Sequence, residues 1–295
     1  MVTEPSFDDI SFPLTHGDVP NEWGCIQLYV ALFNVTIAIH GHESITYKSL
    51  WLFATAVVCA AVEVLGYARQ RRDDWEGFGH DDPRMLQSVA TIIGPTPLLA
   101  AHCFIMANVV RRLGTSYSSL SPGLFCLFLC CDIFASAVQG VGSGIRASID
   151  SGDAERGRKV MLRGVSLHIA VISFFALFSL EFFWRYASDR PHKSLQATQR
   201  AAPPKTLLTD RLILCLSLLG GSTMLLLVRA IERMSALADG EEGGMVRIEA
   251  WLNIFDAAII IVALSLDDML HPRRLWEEGQ ESRDEEEEYL IDEIL

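Results

Sequence analysis

The chain has 295 residues, half of them hydrophobic and 21% charged, with a mean hydropathy of +0.27 and a formal net charge of −13 at pH 7. That apolar content is high for a soluble protein carrying so much charge, and the acidic balance implies no nucleic-acid partner. The two properties fit together when charge is segregated into loops and tails, and the chain is organised that way.

The first 21 residues carry Glu4, Asp8, Asp9 and Asp18, no Lys or Arg, and no apolar core of a signal peptide. The first membrane helix is therefore expected to target the chain itself. Apolar stretches of spanning length, about 17–25 residues, then recur near 22–40, 50–68, 87–110, 123–142, 160–181, 211–229 and 248–266. Charged runs such as Arg69-Gln70-Arg71-Arg72-Asp73-Asp74 separate them. The expected fold is all-α, a polytopic bundle of seven transmembrane helices. It divides into an extracellular or lumenal tail (1–21), a membrane domain (22–270) and an acidic cytosolic tail (271–295). Span six is the weakest because Gly220-Gly221-Ser222 interrupts it.

Along these spans the polar residues fall at helical spacing. Glu63, Gly66, Tyr67 and Gln70 edge the second helix, and Pro95 and Pro97 should kink the third. On the fourth, Asp132, Ser136, Gln139 and Ser143 share one face, and Gly140, Gly142 and Gly144 thin its end. Arg229 and Arg233 lie one turn apart where the sixth ends, and Glu249, Asn253 and Asp256 share a face of the seventh. An ionisable side chain at the centre of a spanning helix costs about 2.5–3.5 kcal/mol, so Glu63, Asp132 and Asp256 facing lipid would cost about 9 kcal/mol together. That approaches the whole stability of a domain. These groups should face one another, a cation or a wet cavity. Because successive helices alternate in direction, most of them map to the side of the bilayer that holds the N-terminus. The residues expected to line a common polar recess are Glu63, Tyr67, Arg69, Gln87, Asp132, Gln139, Arg229, Arg233, Glu249 and Asp256. The plainer alternative is a set of interhelical contacts, such as Glu63 or Glu249 with Arg229 or Arg233, each worth only about 0.6 kcal/mol.

Orientation is weakly marked, since Lys and Arg divide almost evenly between the two sides. The cation-free N-terminal tail and the basic 182–210 loop, with Arg185, Arg190, Lys193, Arg200 and Lys205, favour the N-terminus outside. Residues 277–295 hold ten acidic groups, a composition that reads as a solvated tail. Within it, Glu286-Glu287-Glu288-Tyr289-Leu290-Ile291 resembles an acidic dileucine signal, which would engage a sorting adaptor through Glu286, Leu290 and Ile291. The expected location is the plasma membrane or an endosomal or vacuolar membrane.

Several chemistries lack their residues. All seven cysteines fall inside spans and read as small buried side chains; Cys126 and Cys130 share a face without completing a metal site. His102 and His168 are intramembrane, but no His-x-x-x-His pair anchors a zinc site. No phosphate-cradling loop, nucleophile elbow or lysine in the seventh helix is present. No enzyme activity, cofactor or metal is expected.

The constellation resembles the fungal lipid-translocating exporter family, from about Phe33 to Pro272. The blocks that carry the resemblance are Phe33 to His40, Glu63-Val64-Leu65-Gly66-Tyr67-Ala68-Arg69, Leu86-Gln87-Ser88, Pro95 with Ala100-Ala101, and Asp132, Ser136 and Gln139-Gly140-Val141-Gly142. Gly157 and Gly164, Arg229 and Arg233, Glu249 and Phe255-Asp256, and His271-Pro272 follow. The chain departs from the pattern at Cys103 or Phe104, at His168 in place of glutamine, at Ala236, and at Asn253 in place of tyrosine. The resemblance implies seven helices, an extracellular N-terminus and transbilayer movement of amphipathic lipids such as sphingoid long-chain bases. On that reading membrane lipids are the partners, and Glu63, Asp132, Glu249 and Asp256 hold the lipid ammonium. The alternative is a seven-helix sensor of lipid asymmetry, and a third reading, an intramembrane lipid hydrolase, would depend on His102 or His168.

Overall fold

The computed structural model describes residues 22–46, 53–70, 89–146, 151–191, 210–238 and 249–268. Seven α-helices lie among them: α1 (Glu22–Thr46), α2 (Val58–Gln70), α3 (Pro95–Leu113), α4 (Phe125–Arg146), α5 (Ser151–Ala187), α6 (Asp210–Ala238) and α7 (Glu249–Asp268). A π-helical turn, Phe53–Val57, leads into α2, and short 3-10 turns at Thr115–Tyr117 and Pro122–Leu124 join α3 to α4. No strand occurs among the described residues. Four helical stretches are long and apolar enough to cross a membrane: Val89–Arg111, Pro122–Arg146, Asp153–Ala187 and Ile213–Ala238. The protein is an all-α polytopic membrane protein.

The helices pack as a ring in chain order, closed by α1 against α7, with α3 drawn inward against α2, α4, α5 and α6. Residues along α3 show why it is the inner helix: Leu98, Leu99, Met106, Val109 and Val110 are fully buried, with His102 among them. The outward faces carry the opposite pattern. Leu127, Ile133, Phe134 and Val141 on α4, and Phe174, Leu177, Leu180 and Trp184 on α5, are exposed. An apolar exterior around a polar stripe is the pattern of a helix solvated by lipid. Thus α4 buries Asp132, Ser136, Gln139 and Ser143 and turns its aliphatic residues outward.

Because lipid is as apolar as leucine, close approach of backbones does much of the packing. The α4–α5 pair is the most extensive in the bundle. A Cβ on Gly142 would lie 2.7 Å from Met161 N and 2.9 Å from Gly157 O, and one on Gly164 would lie 2.9 Å from Gln139 N. A side chain at either position would strike backbone, so the glycines set the distance between these helices. Edge-on aromatic contacts, Phe125–Phe175 and Phe128–Phe175, extend the seam.

Two spans run longer than their apolar windows. α5 covers 37 residues, about 55 Å of rise against a hydrocarbon core of about 30 Å. Its first turns leave the apolar window as a charged helix, with Glu155 bridged to Arg158 at 2.7 Å and to Lys159 at 3.3 Å. Arg158 Nη1 also donates to Leu237 O at 2.8 Å, so a cation caps the end of α6. α6 passes through Gly220-Gly221 without a break and continues to Ala238, beyond the expected end at 229.

Candidate functional site

Among the described residues the densest polar convergence lies where the middle of α2 and the C-terminal half of α6 meet the first half of α7 and the turn that opens α3. Pro95 sets it up. In a continuous helix the Thr91 carbonyl would accept from the N–H of residue 95, and proline has none. Residues 89–93 are helical, Gly94 is a turn, and α3 begins at Pro95. Arg229 Nη2 supplies the missing donor, reaching Thr91 O at 2.5 Å, and Arg233 Nη1 reaches Thr91 Oγ1 at 3.3 Å.

Arg229 also pairs with Asp256: Nη2 donates to Oδ2 at 2.9 Å, and Nε lies in ion-pair contact with Oδ1 at 2.6 Å. A charge-assisted hydrogen bond of this kind is stronger than a neutral one. The guanidinium is buried and the Asp256 carboxylate is 18% exposed, so the pair is approachable from the Asp256 side. Glu63 completes the group. It is 1% exposed and lies within electrostatic reach of Arg229, Asp256 and Arg233. Its carboxylate fills the space that a Cβ at Gly94 would need. Neither of its oxygens accepts a hydrogen bond among the described residues. Two arginines therefore face two carboxylates, and the carboxylate of Glu63 is held in place by charge and shape alone.

Asp132 and Gln139 stand apart from this group. Asp132 is fully buried on α4 and meets His168 of α5, Nδ1 to Oδ1 at 2.5 Å. Ser136, one turn on, shares a hydrogen bond of 2.8 Å with Thr96 of α3, and Gln139 packs against Gly164. The expected single recess is thus two centres. One joins α2, α6, α7 and the α3 entry, and the other ties α3, α4 and α5. The cause is the inward position of α3, which stands between the polar face of α4 and the polar face of α7. Among the described residues Arg229 pairs with Asp256, with Glu63 in electrostatic reach. Tyr67, Arg69, Gln87 and Glu249, and the tail residues Glu286, Leu290 and Ile291, have side chains that lie outside the described residues.

His102 and His168 do not share a site: His168 holds Asp132, whereas His102 faces Asp267, Ser222 and Thr223. Among the described residues no group of three or more His, Cys, Asp or Glu side chains is arranged to hold a metal. Sequence reasoning missed Thr91, which contributes a backbone atom. It also missed Asp267, which sits near the end of α7 beside Asp268 and reads as helix-end charge.

A family model described as RTA1 like protein matches residues 56–279. Curated relatives in two strains of Saccharomyces cerevisiae, both named "Sphingoid long-chain base transporter RSB1", are 23% and 22% identical to the chain. Each aligns over 87% of this chain and 72% of its own length. No solved structure matches. The family match spans most of the membrane domain and includes every residue of the Glu63, Arg229, Arg233 and Asp256 cluster, and on that basis the chain belongs to the RTA1-like family.

Proposed function

We propose that this protein moves amphipathic lipids, of the sphingoid long-chain base class, between the leaflets of a plasma, endosomal or vacuolar membrane. The observation that carries the reading is Glu63: a buried carboxylate, in reach of Arg229 and Asp256, whose oxygens are uncommitted among the described residues. A lipid ammonium is the complementary charge. In a low-dielectric interior its pairing with Glu63, and with the exposed side of Asp256, is far stronger than in water. The alkyl chain meanwhile stays among the aliphatic residues of the lipid-facing surface. Arg229 and Arg233 keep the pair of acids charge-balanced when no ammonium is present, so the empty site buries no bare carboxylate charge.

The names of the yeast relatives support the substrate class, and the family resemblance supports an N-terminus outside. Without a phosphate-binding loop, uphill movement needs an ion gradient, and downhill movement needs none.

Purified protein in liposomes, given a fluorescent sphingoid base, should speed its appearance in the opposite leaflet over empty liposomes. Glu63→Gln should slow it at least tenfold while leaving the protein folded. Flux no faster than in empty liposomes overturns the reading. If the cellular phenotype then still depends on the 182–210 loop and the acidic tail, the sensor alternative takes its place.

A further inference from the structure

A third buried ionisable centre lies where α3, α6 and α7 meet. His102, two turns into α3, is 0% exposed, and its ring nitrogens take polar contacts from two other helices. Nε2 lies 3.0 and 3.2 Å from the two carboxylate oxygens of Asp267 on α7, and 3.1 Å from Ser222 Oγ on α6. Nδ1 lies 3.2 Å from Thr223 Oγ1. Ser222, Thr223 and Asp267 are buried as well.

Counting protons through these contacts shows what the centre can do. The Thr223 hydroxyl donates to Leu219 O at 2.8 Å, so it can only accept from His102, and Nδ1 carries a proton. A carboxylate at Asp267 can only accept, so Nε2 carries the second proton and the ring is an imidazolium. Moving that proton onto Asp267 gives a neutral pair with the same heavy-atom positions. Losing the Nδ1 proton altogether leaves a bare Nδ1, and the Thr223 hydroxyl can turn from Leu219 O to donate to it, while Nε2–H stays on the Asp267 carboxylate. The Ser222 hydroxyl donates to Ala263 O over a long 3.4 Å and lies 3.1 Å from Nε2 as a further acceptor. The site therefore has a built arrangement for both the loaded and the unloaded state, with no heavy-atom bond made or broken. For exchange to run, the proton must be taken from water on one face of the membrane and given up to water on the other.

Among the described residues the neighbouring charges are few. Cys59 of α2 is within electrostatic reach of Asp267 and also of Glu63 and Arg229, and Cys215 of α6 is within reach of Asp267. From α1, His40 lies 3.3 Å from Leu264 O, with buried Glu43 one turn on. Eleven residues separate Asp256 from Asp267, about 16 Å of helix rise. Cys59 thus links two ionisable layers stacked along the α2, α3, α6 and α7 interior.

We propose that His102 and Asp267, supported by Ser222 and Thr223, form a proton-binding site whose loading is exchanged against the lipid cation held in the Glu63 layer. The proposal rests on the transport reading above. α6 and α7 each carry one half of both layers, Arg229 with Ser222 and Asp256 with Asp267. A shift of either helix that opens one layer therefore acts on the other.

The test uses purified protein in liposomes with a trapped pH dye and a fluorescent sphingoid base bearing a trimethylammonium group. That headgroup has no exchangeable proton, so accompanying proton movement belongs to the protein. Exchange of one proton per lipid is electroneutral and should give about tenfold lipid accumulation per pH unit of imposed gradient. His102→Gln and Asp267→Asn should each abolish the dependence on the gradient. Wild-type protein that moves the lipid with no proton flux and no response to the gradient overturns the proton site and leaves the transport reading standing. If wild type moves neither this lipid nor the parent amine, the transport reading fails. Infrared difference spectra between acid and alkaline pH then decide the site alone. An imidazole band lost in His102→Gln and a carboxyl band lost in Asp267→Asn support it, and spectra unchanged by either substitution overturn it. A sodium-dependent gain in thermal stability that Asp267→Asn removes, without those bands, assigns a monovalent cation and also overturns it.

Discussion

Replacing Arg229 by methionine keeps much of its length and removes three contacts at once: the ion pair and the hydrogen bond to Asp256 and the hydrogen bond to Thr91 O. Breaking a buried ion pair from one side costs about 3–5 kcal/mol because the remaining charge is left uncompensated. Here the Thr91 carbonyl loses its Arg229 donor as well, and Pro95 has no N–H to replace it. Asp256→Asn acts on the more exposed partner, can still accept from Arg229, and leaves Arg229 facing Thr91 O with Glu63 in reach. Its cost should be lower, about 1–3 kcal/mol. The double variant Arg229→Met with Asp256→Asn removes both charges, and the departure from additivity should be about 1–3 kcal/mol. Equilibrium unfolding in mixed micelles, followed by tryptophan fluorescence, measures all three. An ordinary interhelical hydrogen bond contributes about 0.6 kcal/mol. A value near that for Arg229→Met, or a double variant equal to the sum of its parts, would refute the geometry of the pair.

Three further outcomes follow from the packing and the loops. Gly142→Ala should destabilise the α4–α5 seam by about 1–3 kcal/mol through overpacking, because the added Cβ meets the Gly157 and Met161 backbone. Gly140→Ala, with nothing within 4 Å, should be neutral or stabilise by up to about 1 kcal/mol, and the same unfolding assay compares the two. At the second centre, His168→Leu should destabilise far more than His168→Gln, since glutamine can still donate to buried Asp132 and leucine cannot. Equal losses would remove the pair from the argument. Tyr117 donates to Asp189 at 2.7 Å. That bond, aided by burial, pushes its hydroxyl up to about 12. The protonated phenol is the favoured form, so its contribution is whole below the ordinary tyrosine value of about 10 and is lost as pH rises through the raised one. Tyrosinate absorbance, compared with Tyr117→Phe, should show one late-titrating group that Asp189→Asn returns toward the ordinary value.

Helical spacing was the most legible part of the chain. The α4 stripe of Asp132, Ser136, Gln139 and Ser143 is one buried face, because a 3.6-residue period leaves those positions no other way to avoid lipid. The charged overhang of α5 was not legible from hydropathy, because Glu155, Arg158 and Lys159 read as loop charge until their spacing along a helix pairs them. The same limit hid Asp267, whose neighbour Asp268 makes it look like the solvated end of a span.

Residue type and period were enough to determine that this chain fills a membrane with helices, which faces turn inward, and that its acids cannot stand alone there. Partner choice was decided only by the tertiary structure. Drawing α3 inward assigns Asp132 to His168, Arg229 to Asp256 and His102 to Asp267. A one-dimensional pattern places a charge on a face and at a depth. Which opposing charge shares that depth depends on the order and inclination of helices around the ring, and neither is written in the spacing of any one of them.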